Sequence, residues 1–258
     1  MSRVAYVNGR YLPHAQARVH IEDRGYQFAD GVYEVVGIVG GRMIDRAGHM
    51  ARLARSLSEL EIAWPVAPAV LDQLMVELIR RNRVRNGNIY LQITRGVAPR
   101  DFKFPKGVRS ALVMTTRHVK RFATPEQEQN GVKVITIPDI RWLRRDIKSV
   151  SLLGNVLGKQ RAVEAGAFEA WQVDADGYVT EGCSSNAWIV DAAGTLITRP
   201  TDHLILAGIT RATLLEIIAA DGPMPMARAV SYLSRAPSSG ASTPCSRQSL
   251  ISLPNQSR

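Results

Sequence analysis

Lys148 lies in the run Arg141-Trp142-Leu143-Arg144-Arg145-Asp146-Ile147-Lys148-Ser149. An apolar stretch that reads as a strand precedes this run, and one that reads as a helix follows it. A lysine at such a junction has its backbone held on both sides and its amine free to point into a cleft. Arg144 and Arg145 lie close in sequence, and like-charge repulsion favours the neutral amine. A neutral amine is what Schiff-base chemistry requires. The segment Thr180-Glu181-Gly182-Cys183-Ser184-Ser185-Asn186 sets a carboxylate beside a small-residue turn, where a ligand can approach the backbone closely. Gly208-Ile209-Thr210-Arg211 opens a third element. Free amides at a helix start, with a threonine hydroxyl, make an anion site. An amine, a carboxylate and an anion site are the three needs of pyridoxal phosphate: a lysine for its aldehyde, an acid for its ring nitrogen, a helix start for its phosphate. Each feature alone has a plainer reading. A lysine near a strand end is usually solvated, the Glu181 segment reads equally as a hairpin loop, and the helix start as simple capping. Their order along the chain does not decide the matter.

The elements that position these residues follow from pattern. Val4-Ala5-Tyr6-Val7 ends at Asn8-Gly9, a hairpin signal. A β-rich run covers Val32 to Ile44, broken at Gly40-Gly41. Leu53, Leu57 and Leu60 predict a helix over 47–62, with Arg52 near its start. Leu71, Leu74, Met75 and Leu78 predict another over 69–81. Strands are predicted around Ile89–Ile93 and over 111–116, 134–137, 170–173, 187–190 and 195–198, and helices over 152–164 and 210–220. The stretch 120–131 is polar and carries Pro125, which reads as a linker. The expected organisation is therefore α+β in two halves. A small N-terminal domain spans 1–120, a linker 121–131 and a β-rich domain 132–222. The last segment, 223–258, is serine-rich, lacks Asp, Glu and Lys, and reads as weakly ordered.

Composition excludes several classes. The 258 residues are 45% hydrophobic and 22% charged, which suits a folded chain with a real core. No apolar run is long enough for a transmembrane helix, and the first residues lack the apolar stretch of a secretion signal. Two cysteines, Cys183 and Cys245, give neither a disulfide framework nor a metal cluster, so a cytoplasmic, reducing setting is expected. The five histidines, 14, 20, 49, 118 and 203, show no metal spacing. Phosphate-loop, nucleophile-elbow and dinucleotide motifs are absent. The net charge of +10 comes mostly from arginines spread along the chain; only residues 103, 106, 120, 133, 148 and 159 are lysines. Without a basic run, this reads as arginine-rich composition rather than a nucleic-acid surface.

Several motifs in order resemble the D-amino acid aminotransferases of the class IV (fold type IV) pyridoxal phosphate enzymes. They are Glu22–Glu34 (EDRGYQFADGVYE), Ile93–Gly96 (ITRG), Asp139–Ser149 (DIRWLRRDIKS), Leu153–Leu157 (LGNVL), Thr180–Asn186 (TEGCSSN) and Leu206–Arg211 (LAGITR). Branched-chain aminotransferases and aminodeoxychorismate lyases are similar to a lesser degree around Lys148 and Glu181. The resemblance implies a two-domain fold type IV enzyme that binds pyridoxal phosphate. Lys148 would hold the internal aldimine and shuttle the proton between Cα and C4′. Glu181 would contact the pyridine nitrogen. Arg52, Ile209 and Thr210 would bind the phosphate, and Leu206 would pack on the ring. Tyr33 and Arg100 would take the substrate carboxylate, the Arg100 loop reaching into the partner's site of a homodimer. The implied reaction moves an amino group from a D-amino acid such as D-alanine to a 2-oxo acid such as 2-oxoglutarate.

Two positions and one segment depart from the family pattern. Phe102 stands where its best-known members have a histidine, and a phenyl ring cannot donate a hydrogen bond. This keeps open an (R)-amine or branched-chain aminotransferase on the same scaffold. Cys183 stands where serine is usual. Beyond Gly222 the family's further strands, phosphate turn and last helix are not legible. The composition of 223–258 resembles translation in a shifted frame, which leaves open an inactive product with an incomplete C-terminal part.

Overall fold

The computed structural model describes residues 3–120, 123–220 and 253–254. The chain forms two compact units. One comprises Met1–Lys120 together with Ile147–Ser151, the other Arg121–Asp146 and Leu152–Arg258. The short segment carrying Lys148 thus belongs to the first unit, while both its flanks belong to the second.

In the first unit, β1 (Val4–Val7) turns into β2 (Arg10–Pro13). Asn8 and Gly9 make this turn with φ of 45° and 94°, the left-handed conformations a tight hairpin needs. A short helix α1 (Arg24–Phe28) leads into the long strand β3 (Gly31–Val39) and its return β4 (Arg42–Met43). Helices α2 (Arg46–Glu59) and α3 (Pro68–Asn82) follow, then β5 (Gly87–Thr94) and β6 (Ala111–His118). The six strands form one antiparallel sheet in the order β2-β1-β6-β5-β3-β4. The periodic leucines of α2 and α3, among them Leu53, Leu57, Leu71 and Leu78, share one core with Ile89, Leu91 and other strand residues. Each such side chain contributes about 1.5–3 kcal/mol by burial.

Ile147 is part of this same core. That anchor explains why 147–151 joins the first unit. The segment lies antiparallel to the start of β3, with a bridge between Val32 and Ser149. Tyr33 N donates to Lys148 O at 3.0 Å and Val150 N to Gly31 O at 3.0 Å.

The second unit opens with α4 (Pro125–Asn130). Part of the stretch expected as a linker is therefore helical, at Pro125–Asn130. Thr124 and Gln127 form a reciprocal capping box and Pro125 sits at the first turn, so the polar composition and the proline start a helix here. Next, β7 (Val134–Pro138) and β8 (Glu169–Val173) run parallel, with α5 (Leu153–Glu164) between them in sequence. β9 (Val179–Gly182) pairs antiparallel with β8. A short strand β10 (Ser185–Asn186) precedes the hairpin β11 (Trp188–Val190) and β12 (Leu196–Thr198). Helix α6 (Ile209–Ala220) follows. Strand β13 (Leu253–Pro254) pairs antiparallel with β10. Apart from that strand, the serine-rich segment 223–258 lies outside the described residues.

Candidate active site

In the first unit the chemistry gathers where α2 faces β3. His49, Arg52 and Ser56 lie three and four residues apart, on one face of α2. All three are buried. Opposite them stands Glu34, only 1% exposed. Arg52 grips its carboxylate as a fork: Nε donates to Oε1 at 2.7 Å and Nη2 to Oε2 at 2.8 Å. His49 Nδ1 lies 2.8 Å from Oε2. Burial pushes the Glu34 carboxyl up, but the Arg52 bonds and charge, the His49 contact and the charge of Lys148 together hold it down at about 2.

Ser56, one turn further along the same face, accepts a bond from Lys148 N at 3.3 Å. One helix face thus fixes both the Glu34 cluster and the backbone of Lys148. The Lys148 side chain is buried, and its Nζ lies 4.2 Å from the centre of the Tyr33 ring. Among the described residues this amine has no hydrogen-bond acceptor. The two arginines expected to crowd it are otherwise engaged: Arg144 pairs with Asp146 at 3.0 Å and Arg145 with Asp139 at 3.4 Å.

In the second unit, Glu181 on β9 is buried and fully engaged. Oε1 accepts from Arg141, and Oε2 accepts from Asn186 Nδ2 at 3.0 Å and from Leu206 N at 3.1 Å. Asn186 Nδ2 also reaches Leu206 O at 3.0 Å, which closes the loop onto the strand. Arg141 turns its other edge to Asp139, with bonds of 3.0 and 2.8 Å. Thr180 donates to Asp139 at 2.7 Å. Burial raises the Asp139 carboxyl, and the Arg141 and Thr180 bonds outweigh it and lower it. Burial works against the Arg141 charge, but its two carboxylates raise its pKa. Ile209 and Thr210 begin α6, where helix geometry leaves their N–H groups without a carbonyl partner inside the helix.

The sequence-based residues fall into three places. Lys148, Tyr33 and Arg52 share the β3–α2 region of the first unit. Glu181, Leu206, Ile209 and Thr210 lie in the second unit, Glu181 and Leu206 joined by a hydrogen bond. Arg100 is exposed on the loop after β5, against the rings of Phe28 and Phe102 at 5.0 and 5.6 Å. Four contributors were not singled out from sequence: Glu34, His49, Arg141 and Asn186. A single charge inside the apolar run of β3 was the available signal for Glu34.

The family model described as amino-transferase class IV matches residues 31–229. The chain belongs to the class IV aminotransferases. This family uses pyridoxal phosphate. Among curated class IV relatives, the chain is 44% identical to a D-alanine aminotransferase of Bacillus licheniformis, over 83% of this chain and 75% of that protein. It is 40% identical to a D-alanine aminotransferase of Staphylococcus aureus, over 82% and 74%. The fold is similar to that of an Escherichia coli branched-chain aminotransferase, with a TM-score of 0.78, 20% identity, and 85% and 75% of the chains covered. It is also similar to a Pseudomonas aeruginosa 4-amino-4-deoxychorismate lyase, with a TM-score of 0.71, 25% identity, and 86% and 80% covered.

The donor set fits the family's cofactor. The first unit offers a buried amine with no acceptor among the described residues. The second offers a buried carboxylate fixed by Arg141, Asn186 and a backbone amide, with a helix start on the same unit. Among the described residues no helix is long and apolar enough to cross a membrane.

Proposed function

We propose that this class IV aminotransferase acts on a D-amino acid of the D-alanine type and passes the amino group to a 2-oxo acid of the 2-oxoglutarate type. The observation that carries the reading is the similarity to D-alanine aminotransferases over more than four-fifths of the chain, 44% identical in one case. Bound pyridoxal phosphate supplies an electron sink for the electrons left when the substrate Cα loses its proton. Lys148 is assigned the covalent hold on the cofactor aldehyde carbon and the movement of that proton in both half-reactions. Glu181 would pair with the pyridine nitrogen, its own orientation set by Arg141 and Asn186. Arg52 and the amides of Ile209 and Thr210 would hold the phosphate. Leu206 would lie against the ring. Tyr33 and Arg100 would take the substrate carboxylate, Arg100 as a two-pronged donor. The Arg100 loop would serve the partner's site of a homodimer, in a cytoplasmic enzyme.

Phe102 supports a second reading on the same scaffold, an (R)-amine or branched-chain donor, because its ring offers the carboxylate no hydrogen bond.

The test is the near-visible spectrum of the purified protein during titration with D-alanine, with L-alanine as control. A band that shifts with the D-enantiomer alone is expected. A band that shifts with L-alanine, or with neither, would overturn the D-alanine assignment. A Lys148→Ala protein that keeps the native band would overturn the role of the lysine.

A further inference from the structure

Arg100 is exposed, yet the loop that carries it is tied to a buried charged cluster. Asp30 stands at the centre. It accepts from Arg24 Nε at 2.7 Å, and from Arg95 Nε at 2.8 Å and Nη2 at 3.0 Å. Both arginines are buried. One carboxylate facing two guanidiniums leaves donors over, and each arginine directs its remainder to backbone. Arg95 donates to Leu60 O at 2.7 Å and to Glu61 O at 2.9 Å, just after α2. Arg24 Nη1 donates to Asp101 O at 2.6 Å. That carbonyl belongs to the residue after Arg100.

Aromatic contacts repeat the connection. The Arg95 guanidinium lies 3.6 Å from the centre of the Phe104 ring. Phe28 has Arg24 at 4.8 Å and Arg100 at 5.0 Å, and Phe102 meets it at 5.4 Å between ring centres. The loop is therefore held at residues 101 and 104 by the cluster itself, and at 102 through Phe28, whose ring Arg24 covers. Arg100 itself is steadied by ring faces. Among the described residues its guanidinium has no hydrogen-bond acceptor, so its donors remain directed outward.

We infer that Arg24, Asp30 and Arg95 are positioning residues that preset the 99–104 loop, presenting Arg100 as a ready carboxylate receptor. A mobile loop would have to order on binding, which costs affinity for each side chain it immobilises. Here the cluster has already ordered it. The inference rests on the proposed carboxylate role of Arg100. The loop attachment itself is independent of that role, and the two are tested separately.

The experiment compares holoenzyme carrying Arg24→Lys, Arg100→Ala and both substitutions. Lysine keeps a charge for Asp30 but cannot hold Asp30 and the Asp101 carbonyl together in one planar fork. Arg24→Lys is expected to raise KM for D-alanine about tenfold, the cost of one charge-assisted bond, with kcat changed less than about twofold. In the Arg100→Ala background the same substitution should leave KM unchanged, because Arg24 acts through Arg100. Hydrogen exchange in peptides covering 99–105 should quicken in Arg24→Lys. Unchanged exchange would overturn the preset loop, whatever Arg100 does. Faster exchange with an equal KM effect in both backgrounds would overturn action through Arg100. An Arg100→Ala enzyme with normal KM would overturn the carboxylate role while leaving the attachment to be judged by exchange alone. If Arg24→Lys does not fold, Phe104→Leu, which loosens the Arg95 end, takes its place in the same cycle.

Discussion

Arg52 holds Glu34 through two parallel bonds of 2.7 and 2.8 Å, inside the sheet–helix core of the first unit. The pair does more than fill a buried site. It fixes the guanidinium of a residue that the family resemblance assigns to phosphate binding. It also lies on the helix face that accepts the Lys148 backbone through Ser56. Removing the carboxylate leaves a buried guanidinium without its counter-charge. Glu34→Ala is therefore expected to lose about 3–5 kcal/mol of unfolding free energy. Urea denaturation checks this, and a loss below about 1 kcal/mol would show that solvent or another group replaces the carboxylate.

The same pair has a pH signature. The folded Glu34 carboxyl titrates at about 2, below its ordinary 4.5. A carboxyl lowered on folding contributes stability that is complete above the unfolded value and lost as pH falls through the folded value. The stability gap between the wild type and Glu34→Gln should be constant above about pH 5 and shrink from about pH 4.5 toward 2. Unfolding free energies of both proteins across that range would show it. A gap that does not narrow in acid would mean that the carboxylate is not the source of the stabilisation.

Periodicity made α2 legible, because Leu53 and Leu57 repeat on one face. The opposite question, what His49, Arg52 and Ser56 face, depends on which strand lies across from them, and spacing within a helix does not carry that. Arg141 shows the same limit. Its neighbours in sequence suggested a positive cluster around Lys148, yet its side chain turns to Asp139 and Glu181. The direction of a side chain in an irregular segment is settled by tertiary partners. Thr124 and Pro125 carry a local signal, a capping box with proline at the first turn, that starts a helix inside the stretch expected to link the two halves. Chemistry-bearing residue types at Lys148 and Glu181 stood out from sequence, and the residues that orient them did not.

Arg141 should matter to cofactor affinity more than to stability when its charge is kept. Lysine preserves the charge beside Asp139 but cannot bond two carboxylates in one plane. Glu181 would keep its bonds to Asn186 and Leu206 and lose its bond from the guanidinium. For Arg141→Lys, pyridoxal phosphate titrated into the cofactor-free protein should bind about tenfold more weakly, the equivalent of one charge-assisted bond. The melting temperature of the cofactor-free protein should move by only a few degrees. An unchanged Kd would mean that Arg141 does not set the orientation of Glu181.

Gly158 tests the packing behind the Glu181 strand. It lies in α5, and an added Cβ would sit 2.5 Å from Cys183 Sγ and 2.5 Å from Ile137 Cδ1. In an open helix, alanine would gain about 0.5–1 kcal/mol over glycine. Here the extra methyl must displace the buried Cys183 and the half-buried Ile137, and overpacking costs about 1–3 kcal/mol. The second effect is larger, so Gly158→Ala should lower stability. Cys183 is the neighbour that can be shortened: its thiol is buried, pushed up to about 12 by that burial, and takes no part in the proposed chemistry. Adding Cys183→Ala should recover part of the loss, because the added methyl and the thiol compete for the same space and their effects are coupled. The measurement is a double-mutant cycle in urea. A recovery of zero would place the strain on Ile137 alone, and a Gly158→Ala protein more stable than the wild type would refute the close approach of α5 to the Glu181 segment.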